Sequence, residues 1–214
     1  MKNLYSLTLS AIILILFSSC SKEFLDRKPQ SYADEASAYA SVKALKSALN
    51  GCYDGFQDYR YYGCNFIIIS EVYSDNAKIS ADNTANFVSF YNYSVTPLEA
   101  ELEGLWEIGY SIINRTNNII EAIPHVKSED STITRQILGE AKAIRALVYF
   151  DLVRVFAQTY TTTTGVDSAN GKGGHVGIPL ILKPTKQDSL ITPKRSTVKT
   201  IYTQILNDLK ESEK

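Results

Sequence analysis

The chain has 214 residues, of which 44% are hydrophobic and 11% aromatic, enough apolar material for one packed core. Its 22 basic residues against 23 acidic ones give a net charge of −1. That near balance argues against a nucleic-acid partner and against an electrostatic membrane patch.

The first element is an apolar run from Leu7 to Phe17 behind a single lysine, Lys2. It is too short to span a bilayer, which takes about 20 apolar residues. A basic start, an apolar core and the small residues Ser18 and Ser19 make residues 1–19 a secretory signal. Cys20 follows at once, as in bacterial lipoprotein signals, where the cysteine is acylated and becomes the mature N-terminus. Phe17 stands where most such signals carry leucine. Each buried methylene of an acyl chain contributes about 0.8 kcal/mol, and about two chains anchor stably. Loss of residues 1–19 removes one charge, Lys2, leaving 21 basic residues of the 22 against 23 acidic. Residues 20–30 read as a tether and 31–214 as the folded domain.

Four segments carry helical periodicity. In "SYADEASAYASVKALKSALNGCYDGF" (31–56), Leu45, Ala48, Leu49, Cys52, Tyr53 and Phe56 recur every three or four residues, with Ser31 and Asp34 as the expected cap pair. "TPLEAELEGLW" opens the second, with Thr96 at N-cap, Pro97 first in the helix and Glu99 closing a capping box. Its expected stripe is Leu98, Leu102, Leu105, Gly109, Ile112, Thr116, Ile119 and Ile123. Trp106, Ile113 and Ile120 form a second flank, and Pro124 stops it. Trp106 reads as core packing rather than as a sugar platform.

The third segment, from Ser131 to Gln158, is apolar over so broad a face that it should lie between two neighbours. Asp151 and Arg154 are spaced for a surface pair. The fourth begins with Ser196 as expected cap and places Val198, Ile201, Tyr202, Ile205, Leu206 and Leu209 on one side. It runs to the last residues without a stop signal, so the chain reads as part of something longer. Ile201, Ile205 and Leu209 are expected to lack a partner, which would make the chain poorly soluble on its own. Short strands are expected only around "GIPLIL" (177–182). The architecture is all-α, built from paired antiparallel helices with two long loops, 74–96 and 158–195.

Catalytic templates fail. "GVDSANGKGG" has five residues between Gly165 and Gly171 where a phosphate loop needs four, and Gly173 replaces the magnesium-binding hydroxyl. His125 and His175 stand in no zinc-ligand spacing, and Gly-x-Ser-x-Gly is absent from the sequence. No pair of carboxylates stands out for glycosidase chemistry. Cys52 and Cys64 sit in apolar, aromatic surroundings and read as buried thiols rather than a disulfide. The loop at 74–96 combines rings with Asn and Asp, the make-up of a small-ligand site where sugar C–H faces stack on aromatics. Asp75, Asn76, Asp82, Asn83, Asn86, Phe87, Phe90 and Tyr91 are the candidates, the alternative being rings that plug the core and polar residues that make turns.

Taken in order, Cys20 with "EFLDRKP", "ALNGCYDGF", "LWEIGYSIINRTNNIIEAI", "GEAKAIRALVYFDLVRVFAQTY", "GIPLIL" and "RSTVKTIYTQILNDL" resemble the N-terminal half of SusD/RagB-type proteins. These are surface lipoproteins of Bacteroidota that capture nutrients. The resemblance implies a fold of tetratricopeptide-like helix pairs and a non-catalytic role without cofactor or metal. It implies an outer-membrane location, lipid-anchored through Cys20 and surface-exposed. It also implies an oligosaccharide or peptide ligand and a SusC-type TonB-dependent barrel as partner. Two departures stand out: "GHVGIPL" replaces the more usual glycine/proline lead-in, and "SKEFLD" is only modestly acidic for a surface-export signal. No family binding motif maps onto 74–96, so the candidates there rest on their own chemistry. The competing reading is a helical scaffold that docks a partner and binds no ligand of its own.

Overall fold

The computed structural model describes residues 35–83, 85–128, 130–162, 171–186 and 192–214. The chain divides into two units, Met1–Ser37 and Ala38–Lys214, and the architecture that follows is that of the second. The signal, Cys20, the tether and the expected Ser31–Asp34 cap lie outside the described residues.

Helix α1 spans Val42–Phe56 and starts later than the periodicity suggests, because Ser41 caps it: the Ala44 N–H donates to Ser41 Oγ at 3.2 Å. Its buried side carries Leu45, Leu49 and Cys52. Two short helices follow, α2 (Asn65–Tyr73) and α3 (Val88–Tyr91). Helix α4 covers Ala100–Ala122. The Glu99 carboxylate accepts the Thr96 N–H at 3.1 Å, so half of the capping box forms. Thr96 Oγ1, however, takes the N–H of Leu98 at 3.3 Å, and the helix proper begins only at Ala100. Leu98 is therefore not part of the stripe but 92% exposed, whereas Leu105, Gly109, Ile112, Thr116 and Ile119 are buried as expected.

Helix α5 (Ser131–Phe156) is capped by Asp130, whose carboxylate accepts the Thr132 N–H at 2.8 Å. It packs against α1, α4 and the last helix, α6 (Val198–Ser212), which accounts for the breadth of its buried surface. Strands β1 (Val176–Pro179) and β2 (Arg195–Thr197) pair antiparallel just before α6. The α6 cap is Thr197, one residue after the expected Ser196, because its hydroxyl is the one that accepts the Thr200 N–H, at 3.2 Å.

The long helices alternate in direction. Gly109 of α4 lies against Leu152 of α5 while Asn117 meets Arg145, and along the α5–α6 pair Phe150 meets Tyr202 while Lys142 meets Glu211. Crossings are close: a Cβ on Gly139 would stand 2.8 Å from the Ser212 carbonyl oxygen. Contrary to the sequence expectation, Ile201 and Ile205 are buried, because α6 lies along α5; Leu209 is exposed. Cys52 and Cys64 are free thiols, and burial pushes Cys52 up to about 12.

Two buried polar clusters sit in this core. Arg145 donates to both oxygens of Asp208 at 2.8 and 2.7 Å and to Asn117 Oδ1 at 2.8 Å, joining α5, α6 and α4. Asn117 passes the network on, donating to the Ile181 and Lys183 carbonyls at 3.0 and 3.2 Å. The second cluster corrects the expected surface pair: Asp151 is 2% exposed, and it accepts the hydroxyls of Tyr61 at 2.6 Å and Tyr62 at 2.5 Å. Arg154 instead lies over the Phe150 ring at 4.9 Å. Burial raises the Asp151 pKa above its ordinary value, against the opposing pull of the two hydroxyls.

Removing one partner of a buried ion pair strands the other charge. Arg145→Met should therefore cost about 3–5 kcal/mol in urea unfolding, most of it recovered in the double variant Arg145→Met/Asp208→Leu. Equal costs for the single and double variants would refute the pairing. Because Asp151 titrates higher folded than unfolded, its contribution is fully present below the unfolded pKa and is lost as pH rises through the folded value. The stability of the wild type relative to Asp151→Asn should thus grow as pH falls from neutral toward about 4. A difference that shrinks on acidification would mean a lowered pKa.

Candidate functional site

The lobe between α2 and α4 is built from the polar-aromatic stretch. The Ala77 N–H donates back to the Glu71 carbonyl at 3.0 Å, closing the chain after α2. At the far end, Glu99 joins Thr96 and Ser89, the latter at 2.9 Å, so the start of α4 is tied to α3. These hydrogen bonds hold the Glu99 carboxyl below its usual range.

Within the lobe the candidates separate by role. Asn83 is spent on a turn: its Oδ1 accepts the N–H groups of Ala85 and Asn86 at 3.2 and 3.1 Å, and its Nδ2 donates to the Asn86 carbonyl at 2.9 Å. Phe90 is buried, and Phe87, half-buried, faces it at 6.2 Å between ring centres, so both serve packing. Asn76, Asp82 and Asn86 are exposed, and Tyr91 is partly so. Asp75 is exposed, and its carboxylate lies close enough to the Tyr93 hydroxyl to raise the Tyr93 pKa.

The structure thus brings together a set the residue pattern missed. Tyr73 and Tyr93, 49% and 55% exposed, lie 5.2 Å apart between ring centres and tilted by 56°, with the Asp75 carboxylate at the Tyr93 hydroxyl. Tyr73 closes α2 and Tyr93 follows α3, so the packing of two short helices makes the pair. Asp75, Phe87 and Tyr93 all have positive φ (62°, 59° and 54°), and they are the non-glycine residues among those described to do so. A left-handed backbone costs an L-residue about 1–2 kcal/mol, and such strain collects at functional loops. Tyrosine is no turn former, so the sequence carried no signal for this geometry.

The arrangement offers two large apolar rings with polar edges and one carboxylate on an open surface, suited to stacking and hydroxyl hydrogen bonds. Among the described residues, no group of three or more His, Cys, Asp and Glu side chains is placed to hold a metal ion. Trp106, at the core edge as expected, is half-buried, edge-on to Phe156 at 4.9 Å and beside Tyr110 at 4.8 Å.

Comparison with known proteins gives a consistent picture. A SusD-like protein from Formosa agariphila is 30% identical over 220 residues, covering all of this chain and 38% of its own length. One from Bacteroides ovatus is 28% identical over 148 residues, covering 68% of this chain and 26% of its own length. The chain therefore spans well under half of these relatives. A crystal structure of a SusD superfamily protein from Bacteroides thetaiotaomicron is 28% identical and superposes with a TM-score of 0.66, over 80% of this chain and 36% of the other. A laminarin-binding SusD-like protein, 22% identical with a TM-score of 0.57, shares the fold over 81% of this chain and 34% of the other. The family model described as "Starch-binding associating with outer membrane" matches residues 23–214, and the chain belongs to this SusD-like family.

Proposed function

We propose that the chain serves in a non-catalytic, glycan-capturing lipoprotein of the outer membrane, held by lipid on Cys20 and working with a SusC-type TonB-dependent barrel. The observation that carries this reading is the exposed Tyr73–Tyr93 pair beside Asp75, in a chain whose family is described by starch binding. Asp75, Asn76, Asp82 and Tyr91 form the outer part of the same candidate surface, while Asn83 and Phe87 shape it. The family description also associates its members with the outer membrane, which supports the address and is compatible with acylation of Cys20. A sugar ring stacked on tyrosine gains from apolar contact, and its hydroxyls find Asp75 and the phenol groups at the rim.

Isothermal titration with a neutral oligosaccharide such as maltoheptaose tests the site. Tyr73→Ala and Tyr93→Ala should each weaken binding by about two- to tenfold, in line with the roughly 0.5–1.5 kcal/mol of a ring contact. Unchanged affinity in both would remove the pair from the site. A second test concerns the anchor: Cys20→Ala should move the protein from the membrane fraction to the soluble fraction, and continued membrane retention would refute acylation as the attachment. Turnover of a polysaccharide by the purified protein would overturn the non-catalytic reading.

A further inference from the structure

A cleft of about 600 Å³ lies along α4, away from the Tyr73–Tyr93 pair in sequence and made of different elements. Its aromatic wall is Trp106 with Tyr110, and Pro179 of β1 lines it as well. Trp106 is fixed from two sides by Phe156 and Tyr110 and still lines the cleft. The walls are preformed by hydrogen bonds. The Tyr110 hydroxyl donates to the Pro179 carbonyl at 2.7 Å, and Asn114 Oδ1 accepts the Thr185 N–H at 2.7 Å.

Two further polar groups at the cleft, on Ser111 and Trp106, are not used by the fold. Among the described residues, neither the Ser111 hydroxyl nor the Trp106 indole N–H has a hydrogen-bond partner. The Glu107 side chain is 61% exposed and is approached at 3.5 Å by Arg60, which is itself held by Asp58 at 2.9 and 3.0 Å. Ser111 also lines a neighbouring cleft of about 390 Å³ that contains Asp58 and Arg60. An indole wall therefore meets a rim of oriented carboxylate, guanidinium and hydroxyl. A purely apolar ligand would leave that rim unused, and a polyanion would meet Glu107 and Asp58. A neutral sugar uses both parts, with its C–H face on the indole and its hydroxyls on Glu107, Ser111 and Arg60.

We infer that this cleft is a second carbohydrate subsite, separate from the Tyr73–Tyr93 surface; for its ligand class it rests on the glycan-capture reading. The chain contains a single tryptophan, so tryptophan emission reports on this cleft alone. The purified full chain is titrated with maltoheptaose and with laminarihexaose, by tryptophan fluorescence and by calorimetry in parallel. The expected result is a saturable emission change. Its midpoint should rise about tenfold or more in Glu107→Gln and in Ser111→Leu, and stay unchanged in Tyr93→Ala. Glu107 is solvent-exposed, so its variant keeps the fold and the test does not depend on the leucine variant alone. Calorimetric binding without an emission change overturns the subsite and leaves the capture reading standing. So does a midpoint indifferent to both cleft variants, or one that moves as much with Tyr93→Ala. Absence of binding by either glycan in both measurements overturns the subsite and the capture reading together.

Discussion

Arg145 is the group on which the register of the helices depends. Its fork faces Asp208 on α6 while Nη1 donates to Asn117 on α4, so one side chain fixes three helices along their axes. Apolar stripes alone tolerate sliding, because one leucine against another is worth nearly the same a turn away. A planar guanidinium with three fixed acceptors does not, since a shift would leave a buried charge unpaired at a cost of several kcal/mol. The same network sets the irregular segment after β1. Asn117 holds the Ile181 and Lys183 carbonyls, and the Tyr149 hydroxyl both donates to the Ile181 carbonyl and accepts its N–H, at 2.6 and 2.7 Å. The described residues of that segment have almost no secondary structure of their own and are held by α4 and α5.

A parallel device seats the connection between α1 and α2. Phe56, Tyr61 and Tyr62 stack with ring centres 4.5–5.5 Å apart, and the two phenols end on one carboxylate, Asp151. The rings bring apolar area, while the shared acceptor fixes their direction. Since α2 starts at Asn65, directly after this stack, its position is inherited from Asp151 of α5. The chain of dependence then runs outward, from α2 to α3 and on to the Tyr73–Tyr93 pair.

The long helices were legible because their apolar positions recur at three and four residues over many turns; the caps of α4 and α6 were found to within a few residues, whereas the α1 cap is Ser41, well after the expected Ser31–Asp34 pair. Where the pattern failed, a specific competitor won. Asp151 and Arg154 have the spacing of a surface pair, but spacing does not say which way the face points, and here it points at two tyrosines. Leu98 fell on the stripe by period and outside the helix by hydrogen bonding. "NFIIISEVY" is apolar at too many successive positions for a period to show, so α2 was invisible. At the candidate site, the composition of 74–96 pointed to Phe87, Phe90 and Tyr91, whereas the exposed ring pair in the structure is Tyr73 with Tyr93. Tyr73 and Tyr93 meet only because α2 and α3 pack, and Tyr93 holds its place with a backbone angle that its residue type rarely adopts.

The fold decides where uncommitted polar groups can stand. The hydrogen-bonding groups of the core are largely committed: Asn117, Asn114, Tyr110 and Tyr149 all spend theirs on pinning backbone. Free polar atoms therefore collect where helices end or turn outward, at the Tyr73–Asp75–Tyr93 corner and along the solvent edge of α4. In both places a ring is held by neighbouring rings and a carboxylate stands at its side, oriented by a single partner. Preorganised rings lose little conformational freedom when a ligand stacks on them, which lowers the cost of binding. A rigid helical frame thus presents rings whose positions are set before any ligand arrives, which is the condition under which weak stacking contacts can add up.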